Sequence, residues 1–147
     1  LDQEGLRFFT NYLSKKADDL EVNPQASLLF FWAGLERQVR VEGRVEKTSD
    51  QESDTYFFSR PKDSQINAVI SPQSKAIPDR NYLLEKRKSV IQELQSGRPN
   101  LERPSYWGGY LLTPDKFEFW QGRPGRLHDR ILYTREDTVW NLNLLAP

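Results

Sequence analysis

Residues 117–130 read F-E-F-W-Q-G-R-P-G-R-L-H-D-R and hold the densest set of side chains able to do chemistry. Arg126, His128 and Arg130 stand at alternate positions, separated by Leu127 and Asp129. On an extended backbone that spacing aims two guanidiniums and an imidazole at one surface, an arrangement suited to reading an anion. The same pattern also describes a basic edge strand kept soluble by its charge. His128 is the one histidine in the chain. Two further groups offer anion chemistry. Tyr56, Arg60 and Ser64 are spaced four and four apart, and Lys15 and Lys16 are adjacent. A phenol, a guanidinium and a hydroxyl suit a phosphate, although spacing alone does not separate that from chance. A lysine pair at a helix start, against the dipole preference, wants an anion nearby; a solvated surface pair is the commoner case.

These residues need elements to position them. Phe117, Phe119 and Gln121 alternate with Glu118 and Trp120 as on a strand, and Gly122, Pro124 and Gly125 then predict a hard turn. Earlier in the chain, residues 6–11 read as a strand, and Ser14 caps a short helix carrying Lys15, Lys16 and Leu20 until Asn23-Pro24 breaks it. The apolar run 26–32 predicts a strand buried on both faces or at the buried end of a sheet. Residues 37–47 alternate with Val39, Val41, Gly43 and Val45 inward, giving a hairpin about Gly34. Ser49 or Asp50 opens a helix to about Ser59, and Pro61 starts another through Ile70 with Ser64 in its first turn, where free N–H groups attract anions. Asp79 caps the longest helix, 80–96, with Tyr82, Leu83, Val90, Ile91 and Leu94 as its apolar stripe and Gly97 after it. Residues 98–105 are expected to be a loop. A strand follows over 107–112, with Gly108-Gly109 allowing close approach of a backbone or ligand, then a turn at Pro114-Asp115. Residues 131–134 and 139–145 close the sheet as a hairpin about 135–137. Six or seven strands with helices between them predict an α+β domain or a β-barrel with helical insertions.

The composition narrows the class. The 147 residues are one domain in size, and 21 basic against 21 acidic side chains give no bias toward nucleic acid. Without cysteine there is no disulfide, thiolate metal site or Cys nucleophile, and one histidine makes an all-protein zinc site uncommon. No apolar run is long enough to span a bilayer, so the expectation is a soluble, cytoplasmic protein with no membrane partner. Four Trp, six Tyr and eight Phe suit a core and also stacking on a flat ligand. The chain has no methionine, and its first strand has nothing before it to pair with. The expectation is a segment missing upstream.

The segments S-R-P-K-D-S-Q-I-N-A-V-I-S-P-Q-S-K-A-I-P-D-R at 59–80, W-G-G-Y at 107, F-W-Q-G at 119, R-L-H-D-R at 126 and the terminal L-A-P occur in one order. Together they resemble the pyridoxine (pyridoxamine) 5′-phosphate oxidase family over essentially the whole chain. The resemblance implies a mainly β fold with helical insertions, an FMN-binding split β-barrel forming one domain over 1–147, and a homodimer. It implies oxidation of pyridoxine or pyridoxamine 5′-phosphate to pyridoxal 5′-phosphate, with electrons passed to O2 to give H2O2. By the same resemblance Phe9, Thr10, Lys15, Lys16, Gln38, Gln73, Ser74, Trp120 and Arg130 match FMN contacts. Tyr56, Arg60 and Ser64 match the clamp on the substrate phosphate, and Arg126 and His128 match residues beside the substrate ring. The sequence departs from the family in three places. The strand that supplies an Arg and a Lys is absent upstream of Leu1, Lys15 stands where Arg is frequent, and Leu144 replaces the Arg usual before L-A-P. The alternatives weighed are a non-catalytic split-barrel protein binding flavin or pyridoxal phosphate, and a reductase or haem-handling relative. The latter leaves Tyr56, Arg60 and Ser64 unexplained.

Overall fold

The computed structural model describes residues 4–97 and 100–147; the start of the expected 98–105 loop lies outside them. The elements run β1 (Leu6–Asn11), α1 (Lys15–Val22), β2 (Gln25–Trp32), β3 (Arg37–Lys47), α2 (Asp50–Ser59), α3 (Lys62–Ile70), α4 (Arg80–Gln95), β4 (Trp107–Gln121), β5 (Asp129–Glu136) and β6 (Val139–Leu144). The strands form one sheet in the order β2-β3-β4-β5-β6, and β1 also pairs with β4. The first strand thus has a partner within the chain, where the sequence showed none. The β2–β3, β4–β5 and β5–β6 pairs are antiparallel.

Local chemistry explains the helix ends. Ser49 caps α2 in a reciprocal capping box with Glu52, and Asp79 accepts the Tyr82 N–H at the start of α4. Ser14 Oγ accepts the Ala17 N–H at 3.4 Å before α1. Pro61 is the N-cap of α3 rather than its first residue, which leaves Ser64 in the first turn as expected. In β3 the alternation holds, with Val41, Gly43 and Val45 buried.

The chain divides into two compact units. One comprises Phe8–Val22 and Lys47–Tyr110, and its core is Phe57, Ile66, Ile70, Leu101 and Trp107, with Val90, Ile91 and Leu94 of α4 packed on it. The other comprises residues up to Arg7, Asn23–Glu46 and Leu111–Pro147, where Val41, Val45 and Leu112 are buried.

Two expectations are corrected. No turn occurs at Pro114-Asp115; β4 continues through both residues for 15 residues. Pairing with β5 begins at Lys116, so the N–H that Pro114 lacks is not missed in that ladder. The apolar run of β2 is not buried. Leu29 is 59% exposed and Phe31 58%, because among the described residues this edge strand pairs with β3 alone. The Gly108-Gly109 pair does allow close approach, with the Thr48 N–H donating to the Gly109 carbonyl at 3.0 Å and side chains of the same unit closing on both glycines. A Cβ on Gly108 would lie 2.2 Å from the Tyr12 hydroxyl, and one on Gly109 would lie 2.8 Å from the Phe9 ring.

Candidate active site

The unit that holds the helices brings Tyr56 and Arg60 together on one ring. Trp107 opens β4 and is 5% exposed. Its indole lies parallel to Tyr56, with centroids 6.3 Å apart and planes within 2°, and the Arg60 guanidinium carbon sits 4.7 Å from its centroid. Phe9 stacks on Tyr56 at 3.7 Å, so one face of its ring is already taken. Arg60 ends α2 in an extended conformation, and its carbonyl accepts from Gln65 Nε2 at 2.8 Å, which ties it to the first turn of α3 where Ser64 lies. Arg60 Nη1 is buried with no hydrogen-bond partner among the described residues. A guanidinium held by an aromatic face and lacking an acceptor is suited to receiving an anion.

The same unit places a second donor set. The Thr10 hydroxyl donates to Gln73 Oε1 at 3.3 Å and the Asn11 N–H donates to it at 3.1 Å. With that oxygen engaged, the Gln73 amide N–H groups are left to donate elsewhere. Ser74 follows in the left-handed region at φ 67°. Lys15 and Lys16 occupy the first positions of α1 and are exposed. The Lys15 ammonium is hydrogen-bonded to Asp19 at 2.9 Å, and that bond raises its pKa above the ordinary value. Lys16 Nζ stands 5.7 Å from the Phe8 ring centroid. Two ammonium groups and a fixed amide donor are the chemistry that a phosphate and a carbonyl-bearing heterocycle need, so these residues fit FMN.

In the other unit the expected row of Arg126, His128 and Arg130 does not form. Arg126 lies in a short 3-10 turn, Pro124–Arg126, with φ 62°, and the strand begins only at Asp129. The turn defeats the alternation because Gly125 and Arg126 both adopt left-handed backbone angles. Arg126 is exposed and Arg130 is engaged, with Nε donating to Glu118 at 2.8 Å and Nη1 to the Ala146 carbonyl at 3.0 Å. His128 lies against Trp120, ring centroids 4.9 Å apart. The Arg123 N–H donates to His128 Nδ1 at 3.1 Å, so the neutral ring carries its proton on Nε2. Gln38, on β3, is partly buried opposite Phe31. Phe117, Phe119, Ile131, Tyr133 and Trp140 line an open apolar hollow of about 460 Å³. Residue spacing assigns no role to Trp107 or Arg103; their signals in the sequence are the W-G-G-Y motif and an arginine between the prolines before it.

Residues 1–91 match the family described as pyridoxamine 5′-phosphate oxidase, and residues 107–147 match the pyridoxine 5′-phosphate oxidase C-terminal dimerisation region. The chain belongs to the pyridoxamine 5′-phosphate oxidase family. Relatives named pyridoxine/pyridoxamine 5′-phosphate oxidase include one from Burkholderia orbicola (strain MC0-3), 55% identical over 150 residues that cover all of this chain and 69% of the relative. Another, from Polynucleobacter asymbioticus, is 55% identical over 146 residues covering 99% of this chain and 68% of its own. Among solved structures, PhzG from Burkholderia lata 383 in complex with tetrahydrophenazine-1-carboxylic acid matches with a TM-score of 0.90 at 28% identity, over all of this chain and 71% of PhzG. An FMN-binding protein related to pyridoxamine 5′-phosphate oxidase, from Nostoc punctiforme PCC 73102, shares the fold with a TM-score of 0.72 at 18% identity, over all of this chain and 76% of its own. The sheet with four inserted helices is the split-barrel fold of these proteins. Membership of the pyridoxamine 5′-phosphate oxidase family supports an FMN-dependent oxidase, with FMN as its cofactor. No helix among the described residues is long and apolar enough to cross a membrane.

Proposed function

We propose that this chain oxidises pyridoxamine 5′-phosphate or pyridoxine 5′-phosphate to pyridoxal 5′-phosphate, a step of vitamin B6 metabolism, with O2 reduced to H2O2. The observation that carries this reading is the unpartnered Arg60 Nη1 over Trp107, beside Tyr56. In this reading a phosphate dianion completes the hydrogen bonding of Arg60, with Tyr56 and Ser64 supplying hydroxyls. Bound FMN supplies the two-electron acceptor that passes electrons on to O2. The substrate gives up two electrons and two protons, one proton from the carbon and one from its amine or hydroxyl, which balances O2 going to H2O2; for the amine, water then hydrolyses the imine, releasing ammonia and leaving the aldehyde.

Arg126 and His128 orient the substrate ring, with His128 donating through Nε2 rather than accepting a proton at Nδ1, which is already occupied. Phe9, Thr10, Lys15, Lys16, Gln38, Gln73, Ser74, Trp120 and Arg130 hold FMN. Lys15 exchanges its Asp19 partner, and Arg130 its Glu118 partner, for the cofactor. The working form is a homodimer, consistent with the dimerisation region matched at 107–147 and with the uncovered apolar residues of that region.

The test supplies FMN and pyridoxamine 5′-phosphate and measures peroxide. Peroxide formation is expected, and Arg60→Ala should raise KM with kcat little changed, since a lost charge-assisted contact costs about 1.5–3 kcal/mol. Pyridoxal phosphate binding without peroxide from either substrate would favour a non-catalytic binding protein. A second reading, oxidation of a reduced polycyclic carboxylic acid, is favoured by the likeness to PhzG in complex with tetrahydrophenazine-1-carboxylic acid. It predicts turnover of a substrate without phosphate, unaffected by Arg60→Ala.

A further inference from the structure

Arg103 lies in the irregular stretch before β4, and its side chain is 8% exposed. Each of its guanidinium nitrogens is engaged. Nε donates to Asp54 at 2.6 Å, Nη2 to Asp50 at 2.7 Å, and Nη1 to the Trp107 carbonyl at 2.6 Å. Asp50 and Asp54 are one turn apart in the first half of α2, and Tyr56 and Arg60 follow in its second half and at its C-cap. The Trp107 N–H donates to the Pro104 carbonyl at 2.9 Å, so the 103–104 segment grips both main-chain polar groups of Trp107.

The geometry points to Arg103 as the positioning residue of the phosphate clamp, setting the Trp107 ring against α2 so that Arg60 and Tyr56 rest on it. The inference rests on the proposed function, because it deepens the role given to Arg60. Arg103 itself does not bind the substrate; its fork is consumed by α2 and by Trp107. Three acceptors in different directions call for a planar guanidinium, and a lysine ammonium satisfies them poorly. Two acidic partners offset the cost of burying the charge. Burial pulls the Arg103 pKa down, but the hydrogen bonds to Asp54 and Asp50 outweigh it and the net shift is upward.

The test uses the FMN-loaded protein and two readouts. The first is independent of turnover: the side-chain proton resonances of Arg60, which the Trp107 ring current shifts while the guanidinium stands over the indole. Arg103→Ala should return them toward the values of a free arginine. The second is the ratio of kcat/KM for pyridoxamine 5′-phosphate to that for unphosphorylated pyridoxamine. Arg103→Ala should lower this ratio on the order of tenfold through KM, and Arg103→Ala with Arg60→Ala should lose little more than Arg60→Ala alone. Arg103→Lys should fall between wild type and Arg103→Ala.

If Arg103→Ala does not fold, Asp54→Ala removes one anchor at a half-exposed helical position and should move both readouts the same way by less. Arg60 resonances that stay in place in Arg103→Ala, or in Asp54→Ala where the former is unfolded, overturn the proposal. So does an equal loss of turnover with both amines, the mark of a merely structural role. Arg60 resonances that move while Arg60→Ala leaves phosphate discrimination intact uphold the positioning of Arg60 by Arg103 and overturn the phosphate-clamp reading instead.

Discussion

The two compact units solve their aromatic packing in opposite ways. Where the helices lie, Phe57 is 0% exposed and Trp107 5%, and Phe9, Tyr56 and Trp107 stack in a series that ends on the Arg60 guanidinium. Where the β2–β3 and β5–β6 hairpins lie, Phe31, Trp32, Phe119 and Trp140 remain exposed, and Phe119 and Trp140 help line an open apolar hollow. The first unit therefore fixes the geometry of the proposed clamp by its own core. The second presents its ring-orienting candidates on an exposed turn, together with an apolar face of the kind that oligomers cover. Preorganisation is internal in one unit, while the apolar face of the other stands uncovered in the single chain.

The largest test of this contrast is Trp107→Ala. Removing a buried tryptophan should cost about 3–5 kcal/mol of stability, read as a lowered denaturation midpoint, and should abolish phosphate discrimination because Arg60 loses its platform. Retained discrimination would show that the clamp does not depend on this core. Next comes Arg126→Ala, followed by anaerobic single turnover at saturating pyridoxamine 5′-phosphate. Misplacing the reacting carbon by ~1 Å can cost about a hundredfold in rate. His128→Asn should be milder. A wild-type rate of flavin bleaching with only weakened affinity would make Arg126 a binding residue alone.

A smaller effect is expected on the uncovered face. Leu142 is 55% exposed in the single chain, so Leu142→Ser should leave its folding nearly unchanged. Burying a leucine is worth roughly 1.5–3 kcal/mol, and a two-fold interface would count the change twice. Sedimentation should show a dimer for the parent protein and a shift toward monomer for the variant. An unchanged dimer would place the interface elsewhere.

The smallest effect concerns Glu42, whose carboxylate accepts from Lys116 at 2.9 Å. That hydrogen bond holds its pKa below the ordinary 4.5, with burial opposing it and Arg40 adding to it. A carboxyl lowered on folding contributes stability above its unfolded pKa and loses it as pH falls through the folded value. Glu42→Gln should therefore cost ~0.2–1 kcal/mol at neutral pH, and the difference from the parent should vanish as pH falls below 4.5. A difference that persists in acid would assign the loss to packing instead.

Local chemistry made much of the molecule legible in the sequence. Ser49 with Glu52, Asp79, Pro61 and the alternation of Val39 to Val45 act within a few residues of themselves, so the ends of α2, α3, α4 and β3 could be read directly. The motif segments likewise identified the family before any geometry. What stayed hidden depended on neighbours distant in sequence. Pro114 reads as a turn until β4 is seen to pair with β5 only from Lys116. Residues 26–32 read as buried until β2 is seen at a sheet edge with its faces uncovered. Arg126 reads as extended until the backbone turns left-handed at Gly125. No spacing rule links Arg103 to Asp50, 53 residues away, or rests Arg60 on Trp107. Residue types and short-range order are properties of the chain; the unpaired guanidinium and the ring beneath it exist only once burial has removed water and closed those long loops.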